Sequence, residues 1–375
     1  MKIRSLHVYP IKALRGIPLE HAQLGPQGIR YDRRFMLYTV RPNGEWKKMQ
    51  LDSYPQCALF EQQIIHRADS SGKDSSVIVV RYHQPADGEA SSESETTTSS
   101  SPPPPPPPPP PIEVPLNPEI SSLEAAAVDL HGSPASAYRM GDHYDAWFSE
   151  CFGIPVILVY IGDGKRAVLG NTLPPKAKQQ PKQPATPERQ KGWMSSLASY
   201  VTGSKPEEAP APWLTFTDVA PFLVTSESSL KDVCARFPDD QPVGMFRFRP
   251  NIVVDGDGEE AWAEDFWTEL TIGGHAAQQQ TGSKLALTGN CGRCTSLNVD
   301  YQTGKPSTGE MGNVLKKLMK DRRVDPGVKY SPVFGRYAFL EKGGDAGEFV
   351  TVSVGDEVQV TGRSSERSVW DWPGL

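Results

Sequence analysis

Apolar residues in this chain fall mostly in short runs bounded by glycine, proline and polar clusters, the pattern of strands more than of long helices. In the N-terminal part, residues 1–9, 34–40, 77–82 and 156–161 predict strands. In the C-terminal part, residues 221–225, 252–254, 270–272, 285–288, 296–299, 337–340, 349–354 and 357–361 do the same. Three stretches follow helical spacing instead. Tyr144, Trp147, Phe148 and Cys151 recur at i, i+3, i+4 and i+7 within 142–152, and Gly153-Ile154-Pro155 stops that helix. Ser226 caps a second helix whose stripe is Leu230, Val233, Cys234 and Phe237. Residues 309–323 form a third, with Val314, Leu315, Leu318 and Met319. On these stripes Cys151 and Cys234 are core residues. Closely spaced strands with Gly-rich turns and few helices imply a mainly β chain with flanking helices, α+β in class and built on a β-barrel.

Two stretches lose all periodicity. Residues 84–111 pass from serines, threonines and acids into an unbroken proline run, Pro102 to Pro111. Proline supplies no backbone donor and the polar lead-in has nothing to bury, so a disordered, partly polyproline insertion in a surface loop is expected. Such a run is either a bland expansion or a ligand for a proline-recognising module. Residues 174–212, rich in Pro, Lys and Gln, read as a linker in which 193–201 could form a transient amphipathic helix, a weak membrane or partner signal. The expected domains are thus 1–165 and 213–365.

Composition narrows the classes. A length of 375 residues suffices for two domains, and a net charge of −6 argues against a general nucleic-acid binder. Five cysteines, at 57, 151, 234, 291 and 294, do not make a disulfide framework, which points to a reducing, intracellular compartment and not to secretion. No apolar run is long enough for a signal peptide or a transmembrane segment. A soluble chain is expected, with peripheral attachment left open.

The chemistry is expected at residues 285–300, LALTGNCGRCTSLNVD. There Gly289, Asn290 and Gly292 would turn the chain between two strands and lift Cys291 and Cys294 out of the sheets. Structural zinc would need two further ligands at recognisable spacing. A thioredoxin-type pair would need to open a helix, whereas residues 295–299 alternate like a strand. A third reading needs one thiolate on a metal whose cofactor is held by other contacts. Arg293 would favour a thiolate or hold an anion beside it. Lys12, Arg34, Arg249 and Arg293 each stand at a turn or strand end, where a cation can reach a phosphate, although each taken alone is more often a solvated surface charge.

Several motifs occur together in one order: YPIKALRGI, DRRF at 32–35, MGDHYDAWFSECFG, DVAPFLVTSESSL, FRPNIVV at 248–254, CGRC, and SPVFGRYAFL followed by VGDEVQV. Together they resemble the MOSC family, and more closely the eukaryotic mitochondrial amidoxime-reducing components, in which an N-terminal MOSC-associated β-barrel domain precedes the MOSC domain. The resemblance implies a molybdenum cofactor, a molybdopterin carrying a terminal phosphate, with Cys294 as metal ligand and catalytic residue. It implies cofactor contacts from Lys12, Arg34, Arg249, Asn251, Gly292, Arg293 and Tyr337, and a Cys291 that does not ligate. The activity implied is reduction of N-hydroxylated compounds such as amidoximes and hydroxylamines.

No Gly-rich dinucleotide fingerprint follows a strand, and too few cysteines remain for a ferredoxin cluster, so electrons must come from outside. In the family they come from a b-type cytochrome and its NADH-dependent reductase. A cytoplasmic or peripherally mitochondrial location follows, without the anchor that precedes the domain in mammals. Mammalian members have a serine after the lysine and a Thr-Ser pair before the PF stretch, where this chain has Ala13 and Val219-Ala220, and they have a side chain at Gly292. The alternative is a non-catalytic carrier or sulfur-handling module, since MOSC domains also end molybdenum cofactor sulfurases. Those bring a pyridoxal-phosphate domain, for which nothing convincing is found here.

Overall fold

Alternating strands need one covered face and continuous apolar strands two, and the chain supplies them with several sheets packed on shared cores. The computed structural model describes residues 1–85, 107–170, 173, 211–273, 282–341 and 349–373. Its largest sheet has eight strands in the order Ile17–Leu19, Ile3–Val8, Ile252–Val254, Phe222–Ser226, Val333–Glu341, Ser283–Gly292, Trp267–Gly273 and Glu357–Arg363. All neighbours are antiparallel except Phe222–Ser226 and Ile252–Val254, which run parallel. Leu6, Phe222, Val224, Ile252, Trp267, Leu270 and Leu285 fill its interior.

A five-stranded sheet follows the order Glu124–Leu130, Ser133–Arg139, Val156–Tyr160, Phe35–Val40 and Trp46–Lys48, and Phe60–Ile65, Val77–Tyr82 and Ile112–Pro115 make a three-stranded one. The helix Asp142–Phe152 covers them with the expected stripe. Trp147 and Phe148 pack on Phe60 at ring separations of 6.0 and 5.8 Å, and Cys151 sits half-buried beside them. Ser226 caps the helix Glu227–Cys234 by accepting from the Ser228 amide. The chain is mainly β with flanking helices.

Five expectations change. The strand expected at 296–299 is instead a 3₁₀ turn, Thr295–Asn298, with Ser296 and Leu297 buried. The division into 1–165 and 213–365 does not hold for the sheets: Ile3–Val8 pairs with Ile252–Val254, and His21–Gly25 with Val350–Ser353, so the chain's start completes its C-terminal half. The helix expected over 309–323 is a 3₁₀ turn, Gly309–Asn313, followed by one α-turn, Val314–Leu318. Gly309 at φ +58° and Gly312 are poor helix formers, and only Val314 and Leu318 of the stripe are fully buried. The end of the proline run is docked, because the Trp147 indole donates to the Pro110 carbonyl at 2.7 Å. Residues 86–106 of that insertion lie outside the described residues, as do 174–210 of the linker with the helix expected at 193–201. Finally, Gly289 and Asn290 do not end a strand. Ser283–Gly292 runs on through Cys291 with two register shifts against Val333–Glu341, each a bulge that takes up an extra residue.

Candidate functional site

One cleft, with about 830 Å³ of atom-free space partly open to solvent, collects Lys12, Arg249, Asn251, Gly292, Arg293, Cys294 and Tyr337 from segments far apart in sequence. Arg34 is not among them. Left-handed backbone at Tyr31 and Arg33 (φ +72° and +47°) turns Arg33 into the cleft, whereas Arg34 points away to Tyr160 Oη at 3.1 Å and the Gly162 carbonyl at 2.8 Å. The cation in this motif that faces the site is therefore Arg33. Both Arg33 and Arg249 place their guanidinium carbons 4.5 Å from the centroid of the buried Tyr9 ring, which aligns the two charges.

The two cysteines differ sharply. Cys291 ends its strand almost fully buried, donates to Tyr337 Oη at 3.2 Å and accepts from Arg293 Nη1 at 2.9 Å. Cys294, just beyond the strand, is exposed in the cleft, with Ser296 Oγ 3.2 Å from its sulfur. The surrounding walls desolvate it and raise its thiol above the ordinary value, opposed by Ser296 and Arg293. Of the two, only Cys294 presents a sulfur without a protein cation already on it. Arg293 also donates to the Phe248 carbonyl at 2.7 Å, and its Nε is buried without a partner.

Asn251 lines the cleft but its amide is spent on the protein. Its Oδ1 accepts from Arg33 Nη1 and the Leu223 amide, and its Nδ2 donates to the His7 carbonyl, each at 3.2 Å. It holds strands and Arg33 in place. Gly292 leaves room, since a Cβ there would meet Ser331 and Val328 at ordinary contact distances.

Arg33, Thr217 and Asp218 stand out only in three dimensions. Thr217 lines the cleft, and its hydroxyl is buried without a partner. Asp218 binds Lys12 Nζ and lies 3.2 Å from His131 Nε2. Burial would push its carboxyl up, but Lys12 and His131 outweigh that and hold it well below the usual range. Burial pulls Lys12 down to about 8 against the pull of Asp218. Beneath them, buried Arg166 donates to the carbonyls of Thr215, Thr217, Asp218, Leu130 and Ser133, which pins the loop that carries Thr217 and Asp218. Lys12, Arg33, Arg249 and Arg293 against Asp52 and Asp218 leave the cleft net positive in an acidic chain. Among the described residues, no group of three His, Cys, Asp or Glu could hold a metal ion, so a metal here needs ligands from elsewhere.

Family comparison matches the MOSC domain over residues 211–359 and the MOSC N-terminal β-barrel domain over residues 1–101. The chain thus carries a MOSC domain and a MOSC N-terminal β-barrel domain. Among curated proteins it is 35% identical over 158 residues to mitochondrial amidoxime-reducing component 1 of Homo sapiens, covering 41% of each chain. It is 38% identical over 149 residues to mitochondrial amidoxime reducing component 2 of Rattus norvegicus, covering 39% of this chain and 38% of that one. The match thus spans about two fifths of these relatives' length. Among the described residues, no helix is long and apolar enough to cross a membrane.

Proposed function

We propose that this MOSC chain is a molybdenum cofactor-dependent oxidoreductase that reduces N-hydroxylated compounds, amidoximes and hydroxylamines among them. The observation that carries this reading is the exposed Cys294 thiol in a cleft ringed by Lys12, Arg33, Arg249 and Arg293. A phosphate-bearing pterin suits these groups. Four cations exceed two carboxylates, and the orphaned Thr217 hydroxyl and Arg293 Nε offer unused hydrogen bonds to an anion. Thr217 also offers a hydroxyl near Ala13 and Ala220, where the side chains have none.

The residues divide the work. Cys294 would be the metal ligand once its thiol gives up its proton, which Arg293 and the Ser296 hydroxyl favour. Lys12, Arg33 and Arg249 would hold the phosphate and pterin, with Tyr9 fixing the two guanidiniums. Asn251 acts through Arg33. Tyr337 and Cys291 keep Arg293 aimed at the cleft. The bound group would supply a two-electron centre that accepts the oxygen of the N–O bond. Electrons would arrive from a b-type cytochrome and its NADH-dependent reductase, in a cytoplasmic or peripherally mitochondrial setting.

Molybdenum analysis of the purified chain, with benzamidoxime reduction in the reconstituted electron-transfer chain, tests the reading. Cys294→Ser is expected to lose both molybdenum and turnover. Cys291→Ser, which can keep bonds to Arg293 and Tyr337, should retain most of the metal. Equal molybdenum and activity in Cys294→Ser would overturn the assignment. A loaded chain that donates its cofactor to an apo-enzyme but never turns over would be a carrier instead.

A further inference from the structure

The MOSC match ends at residue 359, yet the chain continues across the back of the cleft. Arg367 Nε binds Asp265 at 2.8 Å, the Ser368 hydroxyl accepts from Arg336 at 3.1 Å, and the Trp370 amide donates to Asp325 at 3.0 Å. Trp370 then sets its ring 5.9 Å from that of Tyr337, the residue whose hydroxyl accepts from Cys291. Trp372 is 2% exposed, in one buried cluster with Val219, Ala220, Leu223, Cys291 and Tyr337. Its indole donates at 2.8 Å to the carbonyl of His131, a left-handed residue (φ +60°) whose ring meets Asp218. The segment lies so close to the barrel that a Cβ on Gly327 would fall 1.9 Å from the Trp370 carbonyl. This packing touches both walls of the cleft from behind.

We propose that residues 364–373 are a strap that positions the site: Trp370 holds Tyr337, and through it Cys291 and Arg293, while Trp372 holds His131, and through it Asp218. The two tryptophans are positioning residues and do not reach the cleft themselves. The strap's service to a cofactor rests on the function proposed above. Its grip on the walls does not.

Alkylation of the cofactor-free full chain, read cysteine by cysteine by mass spectrometry, tests it. Cys57, fully buried in the N-terminal core, serves as the control for general unfolding. Trp370→Ala and Trp372→Ala should each speed alkylation of Cys291 at least about tenfold while Cys57 stays protected, and the phenylalanine variants should recover most of the protection. Should the alanine variants fail to fold, Gly327→Ala decides, because it lifts the strap without altering either tryptophan and should speed Cys291 at least about threefold. Parallel acceleration at Cys57, or an unchanged Cys291 rate in the folded variants, overturns the strap. In the loaded protein, the same variants should lose more than half of their molybdenum on desalting. An unaltered chain that never takes up molybdenum would refute the cofactor reading and leave the alkylation result to judge the strap.

Discussion

At Lys12 a single buried ammonium links cleft charge to pH. Burial lowers it to about 8, so the proton that makes it a cation at pH 7 is largely lost by pH 9. Anion binding should therefore weaken as pH rises through that value. Sulfate, whose own charge is constant over this range, should bind several-fold less tightly at pH 9 than at pH 7, within the limit of about tenfold per unit above the pKa. Lys12→Met should flatten the dependence, and titration calorimetry at the two pH values measures it. The same scale explains why DRRF misled. Arg33 and Arg34 are chemically identical, and only the left-handed backbone at Arg33 decides which of them faces the site. No propensity in the sequence signals that conformation for arginine.

Among the elements, the 3₁₀ turn Ala263–Phe266 carries an ionisable liability. Glu264 is fully buried with Ser229 Oγ at 2.7 Å, and burial raises its carboxyl from 4.5 to about 7. The folded state keeps a proton that the unfolded chain gives up from about pH 4.5 onward. Stability should fall as pH rises from there to about 7, by roughly 3 kcal/mol, and the loss persists above that. Glu264→Gln should remove this slope, as urea denaturation at pH 5 and pH 8 would report. Neighbouring Asp265 is clamped by Arg322 with two bonds of 2.8 Å. Helix 142–152 and the Ser226 cap were legible in the sequence because their determinants are local: stripe spacing and a hydroxyl at the right offset. The bulged strand Ser283–Gly292 was not, since Gly and Asn mark turns and bulges alike and only the partner strand selects between them.

For the whole molecule, the insertion and the barrel should separate cleanly. Deleting residues 86–106, which stops short of the Pro110 carbonyl held by Trp147, should leave thermal stability and cofactor content close to those of the full chain. A deletion extended through Pro111 should lower the melting temperature by several degrees, because it strips the Trp147 indole of its acceptor at about 1–3 kcal/mol. Differential scanning calorimetry of the two deletions distinguishes them. The eight-stranded sheet, by contrast, is not divisible, because Ile3–Val8 and Ile252–Val254 belong to one ladder.

Residue order alone located strands such as Ile3–Val8, Phe35–Val40 and Val77–Tyr82, the helix Asp142–Phe152 with its apolar stripe, and a cysteine pair with Arg293 between its members. These depend on side-chain type and short-range spacing. Tertiary structure decided that Lys12, Arg249 and Arg293 share one cleft and that Arg33 joins them. It also decided that Asn251 serves the scaffold, that Cys291 is sealed while Cys294 is open, and that a tail with two tryptophans backs the site. Those outcomes depend on strand pairing between segments more than 200 residues apart and on burial, which no local pattern encodes.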